Sequence, residues 1–592
     1  MVAADGTIDW LCLPNYADPP VFGALLDADR GGAWRFGPSR AASGRQSYRD
    51  RSAVLVTTWD LDTGTVELTD GMAWPWDNRW EEDGGGDSRV LIRRFRCVRG
   101  EADCTLALCP RRDFDRAAEV RPVPPGVTLA FDDLNLQLWS DRPLMLASDQ
   151  VTGFFRLPAG EEAWCVLSTG DDADRNGWSA TIARDELAPA DQYWRDWWER
   201  LRVDGLRADR VRRSAPTVHL LSYAPTGSPV AAPTTSLPER IGGDRNYDYR
   251  YAWVRDASLA LATLARLGET GAGQRYMDCL TTYRSSTHSP LQIVYGVDGA
   301  MDLPVVERDD LAGYRGSRPV RIGNRACGQR QLDSLGYFVE CALTFLEEGG
   351  EWRDRYWEMV RRAADYTAGT WQEPDSGIWE SGVEAQYVSS KVMAWVALDR
   401  AARIGERLGH HAESAGWRQA AADVHDAVME RGWSERLGAF RQRYEGDNLD
   451  ASALLIPLTG FLPSDHPRVR ATVERVAATL TIDGLVHRYH AAETPGHERD
   501  ALPLGEFEGA FLPCTFWLAA AYALDDRVAE VAAILDRVEA AAGEPGLFAE
   551  EIDARSGEFL GNTPLLFSEV EYVRAVEALN SAQARAKTGR DL

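Results

Sequence analysis

The sequence predicts an N-terminal antiparallel β-sandwich followed by an all-α domain that closes on itself as an (α/α)6 barrel. Three observations carry this reading. The first third of the chain is a series of short apolar or alternating runs separated by turn clusters, with no helical period between them. From about Ala208 onward the pattern is almost wholly helical, in roughly twelve periodic segments. Short turns and long Gly/Pro/Asp-rich loops alternate between those segments, as expected of about six helix hairpins whose long loops gather at one rim.

Taken in order, Ser52–Leu61, Val66–Met72, Val90–Val98, Thr105–Cys109, Val127–Asp132 and Glu162–Ser168 read as strands. Asp62-Thr63-Gly64 and Gly84-Gly85-Gly86 punctuate them, and Glu81-Glu82-Asp83 beside the glycines reads as a solvated loop. Residues 1–190 are assigned to the sandwich on this basis. Near Pro189 the texture changes. Gln192–Leu201 is amphipathic and reads as a helix in a linker spanning 191–207. Residues 208–592 are assigned to the barrel. Its clearest helical segments are Leu259–Leu267, Asp333–Leu346, Trp352–Thr370, Lys391–Leu408, Trp417–Met429, Val469–Leu480, Phe511–Leu524, Val528–Ala542 and Phe567–Leu579.

Composition narrows the function. A chain of 592 residues exceeds a single ordinary core, and 44% hydrophobic with 26% charged residues fits folded domains. A net charge of −26 leaves no basic face for nucleic acid or an anionic membrane. A small neutral ligand fits instead, and the 21 Trp include good stacking partners for sugar rings. Nine Cys without a tight pair read as reduced, buried thiols, and the scattered His residues lack metal-ligand spacing. His410-His411 reads as a solvated turn. Neither a metal nor an organic cofactor is expected. The start, Met-Val-Ala-Ala-Asp, has no signal-peptide pattern. No apolar run approaches the roughly 20 residues of a membrane span. The expected location is cytoplasmic, and a homo-oligomer is left open.

The stretch Gly242–Asp256 packs three Asp, three Arg and three Tyr with a Trp, then passes directly into an apolar helix through Leu259, Leu261, Leu264 and Leu267. Aromatic faces with carboxylates and guanidinium forks suit a hydroxyl-rich ligand such as a sugar, and a structural Arg–Asp network is the alternative. Two long loops place carboxylates before helices: Asp375-Ser-Gly-Ile-Trp-Glu380, and Gly546-Leu-Phe-Ala-Glu-Glu-Ile-Asp553. A carboxyl packed on Trp379 has its pKa raised, as a general acid requires. Glu550, with Glu551 and Asp553 beside it, has a more polar setting that suits a base. Unlike carboxyls of this kind form the acid/base pair of glycoside hydrolysis. Sequence spacing alone does not single out this pair.

Gly242–Ala257 resembles the signature of glycoside hydrolase family 15, the bacterial glucoamylase and trehalase-like proteins. Asp5–Pro14, Tyr223–Gly227 with Ala232–Glu239, Gly313–Asn324 and Ser390–Asp399 resemble further family blocks in the family's order, covering nearly the whole chain. The resemblance implies a β-sandwich followed by an (α/α)6 barrel. It implies Glu380 as general acid and Glu550 as general base, with Glu551 the weaker choice. It also implies Arg255, Asp256, Tyr249 and Trp253 around the terminal glucose, and Arg488 reaching the next sugar; Trp379 and Glu551 are further expected substrate contacts. After Trp379-Glu380 the chain reads Ser-Gly-Val-Glu-Ala-Gln-Tyr, unlike either the trehalase-like or the starch-cleaving pattern. The expected activity is therefore inverting, exo-acting hydrolysis of short α-1,6 or α-1,4 gluco-oligosaccharides. The alternatives are α,α-trehalase and, in another class, a catalytically silent sugar-binding protein.

Overall fold

The computed structural model describes residues 1–40, 42–73, 89–124, 126–147, 149–169, 177–491 and 502–588. The expected loop at Glu81–Asp83 and the Gly84–Gly86 cluster lie outside the described residues. The chain divides into two compact units, one formed by Met1–Arg200 with Asp309–Arg315, the other by Leu201–Arg308 with Gly316–Leu592.

The first unit is an antiparallel β structure organised by one long strand, Val90–Cys109. Its first half pairs with Gly64–Met72 on one side and Glu162–Thr169 on the other. Its second half pairs with Ala33–Pro38 and Val151–Pro158. The sequence reading split this strand into two at about residue 100. Gly100 lies there at φ 75°, and a Cβ on it would overlap the Thr63 carbonyl. Trp34, Phe36, Trp59, Leu68, Phe95, Leu106 and Leu138 fill the core beneath the strands. The helix expected from Gln192 begins at Ala180 and runs to Arg200 within this unit. Ala183 and Leu187 pack it on Val54, Ile92 and Trp164, while its Asp191 accepts from Arg49 at 2.6 Å. The stretch expected as a linker is thus divided at Arg200 between the two units.

The second unit is all-helical among its principal described elements. Its inner helices are Val254–Arg266, Asp333–Glu347, Val388–Leu408, the short Leu455–Leu458 behind a 3-10 turn, Leu512–Leu524 and Leu566–Thr588. Each packs on the next, and the last packs on the first, so the ring closes. The alternate helices, Ala208–Leu220, Gly271–Leu280, Asp354–Thr370, His411–Arg431, Pro467–Thr479 and Val528–Ala542, complete the hairpins. Leu512–Leu524 shows why the inner ring reads as it does: nearly every side chain is buried, so the segment is apolar all round rather than striped. The periodic pattern missed Gly271–Leu280, whose two glycines interrupt the apolar period.

Candidate active site

Each long loop precedes an inner helix, and together these loops build one cavity of about 420 Å³ in the second unit. That volume falls in the range of small-ligand sites. Eight of the nine residues expected at the site line it: Glu380, Glu550, Tyr249, Trp253, Arg255, Asp256, Trp379 and Arg488.

The first loop ends in a two-residue strand, Ala252–Trp253, which pairs with Val294–Tyr295 and places Trp253 at the helix N-cap. Arg255 and Asp256 therefore stand in the first helical turn rather than in the loop. Arg255 Nε donates to Asp256 Oδ2 at 2.9 Å, and its Nη1 donates to the Ile378 carbonyl at 3.1 Å. That second bond ties the helix start to the loop carrying Glu380.

Glu380 adopts φ 56°, a left-handed backbone that costs a non-glycine residue about 1–3 kcal/mol. The Trp253 indole donates to its Oε1 at 2.8 Å. Burial raises the Glu380 pKa, with Arg255 and the indole hydrogen bond pulling the other way. The sequence reading expected Glu380 to be desolvated by packing on Trp379. In the structure Trp379 turns its Nε1 to Asp450, at 2.8 and 3.0 Å from the two carboxylate oxygens, and meets Phe511 edge-on at 5.4 Å.

Glu550 precedes the strand Glu551–Ile552, which lies between Ala510–Phe511 and Phe559–Leu560. The Tyr249 hydroxyl donates to its Oε1 at 2.6 Å and the Asn562 amide to its Oε2 at 3.3 Å. Its setting is not the more polar one expected. Glu550 is 2% exposed, and burial, reinforced by the negative charge of Glu239, pushes its carboxyl up to about 8. Adjacent glutamates looked like a polar neighbourhood in sequence, but the strand turns Glu551 away from the cavity and removes water from both.

Glu551 does not line the cavity. It is fully buried, accepts from the Gly509 amide at 2.8 Å and pairs with Arg488 at 3.2 Å. Arg488 is engaged on every side, with Glu508 at 2.6 and 2.9 Å and Glu239 at 2.7 Å. Arg245 pairs with Glu239 as well and reaches Glu508 at 3.3 Å. Glu239, Glu508 and Glu551 lie close enough together to hold a cation, and the Arg488 guanidinium bonds all three. The sequence reading gave Glu239, Glu508 and Asp450 no role. Their partners are distant in sequence, and the only local hint was Glu239 closing the Ala232–Glu239 block. Of the Ser381–Tyr387 segment, Ser381 and Gly382 line the cavity, while Tyr387 bonds back to Ser381 at 2.9 Å.

The model of glycosyl hydrolases family 15 matches residues 205–577, and a trehalase-like N-terminal model matches residues 1–152. This chain belongs to glycosyl hydrolase family 15. As a member of that family it is a glycoside hydrolase, and the silent sugar-binding alternative is set aside. The family 15 chain is 34% identical to a protein named trehalase from Mycolicibacterium smegmatis, over 99% of this chain and 90% of that protein. It is 33% identical to one from Thermoplasma volcanium, over 98% of this chain and 92% of that protein. A bacterial glucoamylase solved with acarbose superposes with a TM-score of 0.68 at 13% identity, covering 98% of this chain and 94% of that one. That likeness bears on the fold, a sheet domain followed by an (α/α)6 barrel. Among the described residues, no helix is long and apolar enough to cross a membrane.

Proposed function

We propose that this family 15 hydrolase is an α,α-trehalase that inverts configuration at the carbon it attacks. The observation that carries the reading is that relatives named trehalase align along essentially the whole chain, sheet domain and barrel alike. A cavity sized for a small sugar, with the buried Glu550 and half-buried Glu380 carboxyls on its wall, supports it. The sequence favoured α-1,6 or α-1,4 glucosides because of the segment after Glu380. Only Ser381 and Gly382 of that segment line the cavity, so it weighs little on substrate choice, and trehalose is the better-supported alternative.

In the proposed mechanism Glu380, whose pKa desolvation raises, gives its proton to the oxygen joining the two sugars. Glu550, steadied by Tyr249 and the Asn562 amide, takes a proton from the water that attacks the opposite face. Arg255 and Asp256 hold hydroxyls of the attacked glucose. Arg488 supplies fixed positive charge at the cavity wall, and Glu551 serves by holding Arg488 rather than by touching sugar.

Proton NMR in the first minutes of turnover tests this. From α,α-trehalose, equal α- and β-glucose is expected, since the attacked ring inverts and the leaving ring does not. The α anomer alone would refute inversion. A faster reaction on maltose, isomaltose, nigerose or kojibiose than on trehalose would refute the substrate assignment.

A further inference from the structure

Beyond the residues around the attacked glucose, the cavity wall carries a hairpin with no assigned part in the reaction. Its strands are Val306–Arg308 and Val320–Ile322, antiparallel, with Glu307 opposite Arg321. Both side chains line the cavity. They stand toward its mouth: the Glu307 and Arg321 side chains are 40% and 20% exposed, whereas Asp256 and Glu550 are 2% exposed.

The hairpin is held in place from behind. The Arg321 amide donates to Ser236 Oγ at 2.8 Å, and its carbonyl accepts from Thr235 Oγ1 at 2.7 Å. Arg321 Nη1 donates to the Asp244 and Asn246 carbonyls at 2.7 and 3.0 Å, and the guanidinium lies over Tyr247 at 5.5 Å. Arg321 Nε donates to Glu307 Oε1 at 3.0 Å. Among the described residues Glu307 Oε2 and Arg321 Nη2 make no hydrogen bond to protein, and the two residues, joined through Oε1 and Nε, both line the cavity. An ion pair this exposed adds little to stability. A fixed acceptor next to a fixed donor matches two neighbouring hydroxyls of a pyranose, each of which can give and take a hydrogen bond.

We propose that Glu307 and Arg321 are specificity-determining residues that bind adjacent hydroxyls of the leaving sugar. The proposal rests on the reading of the cavity as a disaccharide hydrolase site, with the leaving ring nearer the mouth. It gives the choice of leaving group to the 306–322 hairpin rather than to the segment following Glu380.

The test compares two substrates on the full-length protein: trehalose, whose leaving group is a glucose, and p-nitrophenyl α-glucoside, whose leaving group has no neighbouring hydroxyl pair. Glu307→Gln should lower kcat/KM for trehalose about tenfold or more, chiefly through KM, because a site built to bond hydroxyls loses its charged acceptor. The aryl glucoside should change less than about threefold. Arg321→Lys, which keeps charge but not the fork, should show the same split. Equal losses on both substrates, or an unchanged trehalose rate in Glu307→Gln, overturn the proposal. Should the wild type prefer another disaccharide, the trehalase reading fails on that ground alone. The same split is then required of the preferred disaccharide against the aryl glucoside, and its absence sinks the hairpin assignment.

Discussion

Glu380 concentrates two conflicting demands in one residue. Its φ of 56° and its partly desolvated carboxyl both oppose stability, yet the same backbone aims the carboxyl at the Trp253 indole and the cavity. Glu380→Gly should therefore abolish turnover while raising stability by about 1 kcal/mol, read as a higher urea midpoint at constant m. A lower midpoint would mean that the backbone there is not strained. Glu550 makes a second, pH-dependent prediction. A base must be ionised, and its carboxyl is pushed up to about 8, so the active form is lost as pH falls below that value. kcat/KM for the free enzyme should decline from slightly alkaline pH toward pH 5, well before an ordinary carboxylate would titrate. The Tyr249 hydrogen bond lowers the Glu550 pKa, so Tyr249→Phe should move that acid limb to higher pH. An acid limb unmoved by Tyr249→Phe contradicts this role for the hydroxyl. At this scale much of the candidate site was legible, because Gly242–Asp256 concentrates its chemistry locally. Glu239, Glu508 and Asp450 were not legible, since Arg488 meets Glu239 across 249 residues of chain and no local pattern announces that pairing.

Elements, rather than single residues, decide how closely Glu550 is held. The turn after strand Phe559–Leu560 passes Gly561 at φ 72°, and a Cβ there would overlap the Glu550 carboxylate. Gly561→Ala should cost about 1–3 kcal/mol and reduce kcat far more than it changes KM, because it displaces the base without touching the sugar's hydroxyl contacts. Thermal unfolding alongside steady-state kinetics checks both parts. If kcat stays near the wild-type value, the turn does not position Glu550. The helices were mostly readable from apolar period, and the starts at Asp333 and Val528 were found, but the start that carries site residues was not. Val254–Arg266 begins five residues before the expected Leu259, because Arg255 and Asp256 break the apolar pattern while remaining in the first turn. Functional residues at a helix start erase the signal that would announce the helix. Strand Val90–Cys109 hid its length in the same way: Gly100 and the charged residues around it interrupt the apolar runs, so residues 99–104 were left out of either strand, although the strand continues from one set of partners to the next.

For the whole molecule, the sandwich-then-barrel order followed from apolar periodicity, since one part of the chain alternates and the other follows a helical period. The interleaving of the two units did not follow from it. Asp309–Arg315 lies inside the barrel's stretch of sequence yet clusters with the sheet unit, where Arg30 donates to the Asp310 carboxylate at 2.7 Å and the Ala312 amide donates to Asp27 at 2.9 Å. Leu311 between them is fully buried. A chain begun at Leu201 would leave this segment without those partners and expose Leu311, so it should be less stable and more prone to aggregate than the full chain. Replacing 309–315 with a short Gly/Ser link in that fragment should recover soluble protein. Light scattering and thermal melts of the two fragments decide it, and equal behaviour would show that the segment does not need the sheet unit.

That interleaving also sets an order of events during synthesis. The sheet unit's own last helix ends at Arg200, but its final piece does not leave the ribosome until about a hundred residues later. At about 5–20 residues per second, that is a wait on the order of ten seconds. During this time Asp27 and Arg30 stand without the Asp309–Arg315 segment that pairs with them, and the first domain made waits for part of the second to be synthesised before its own last piece arrives.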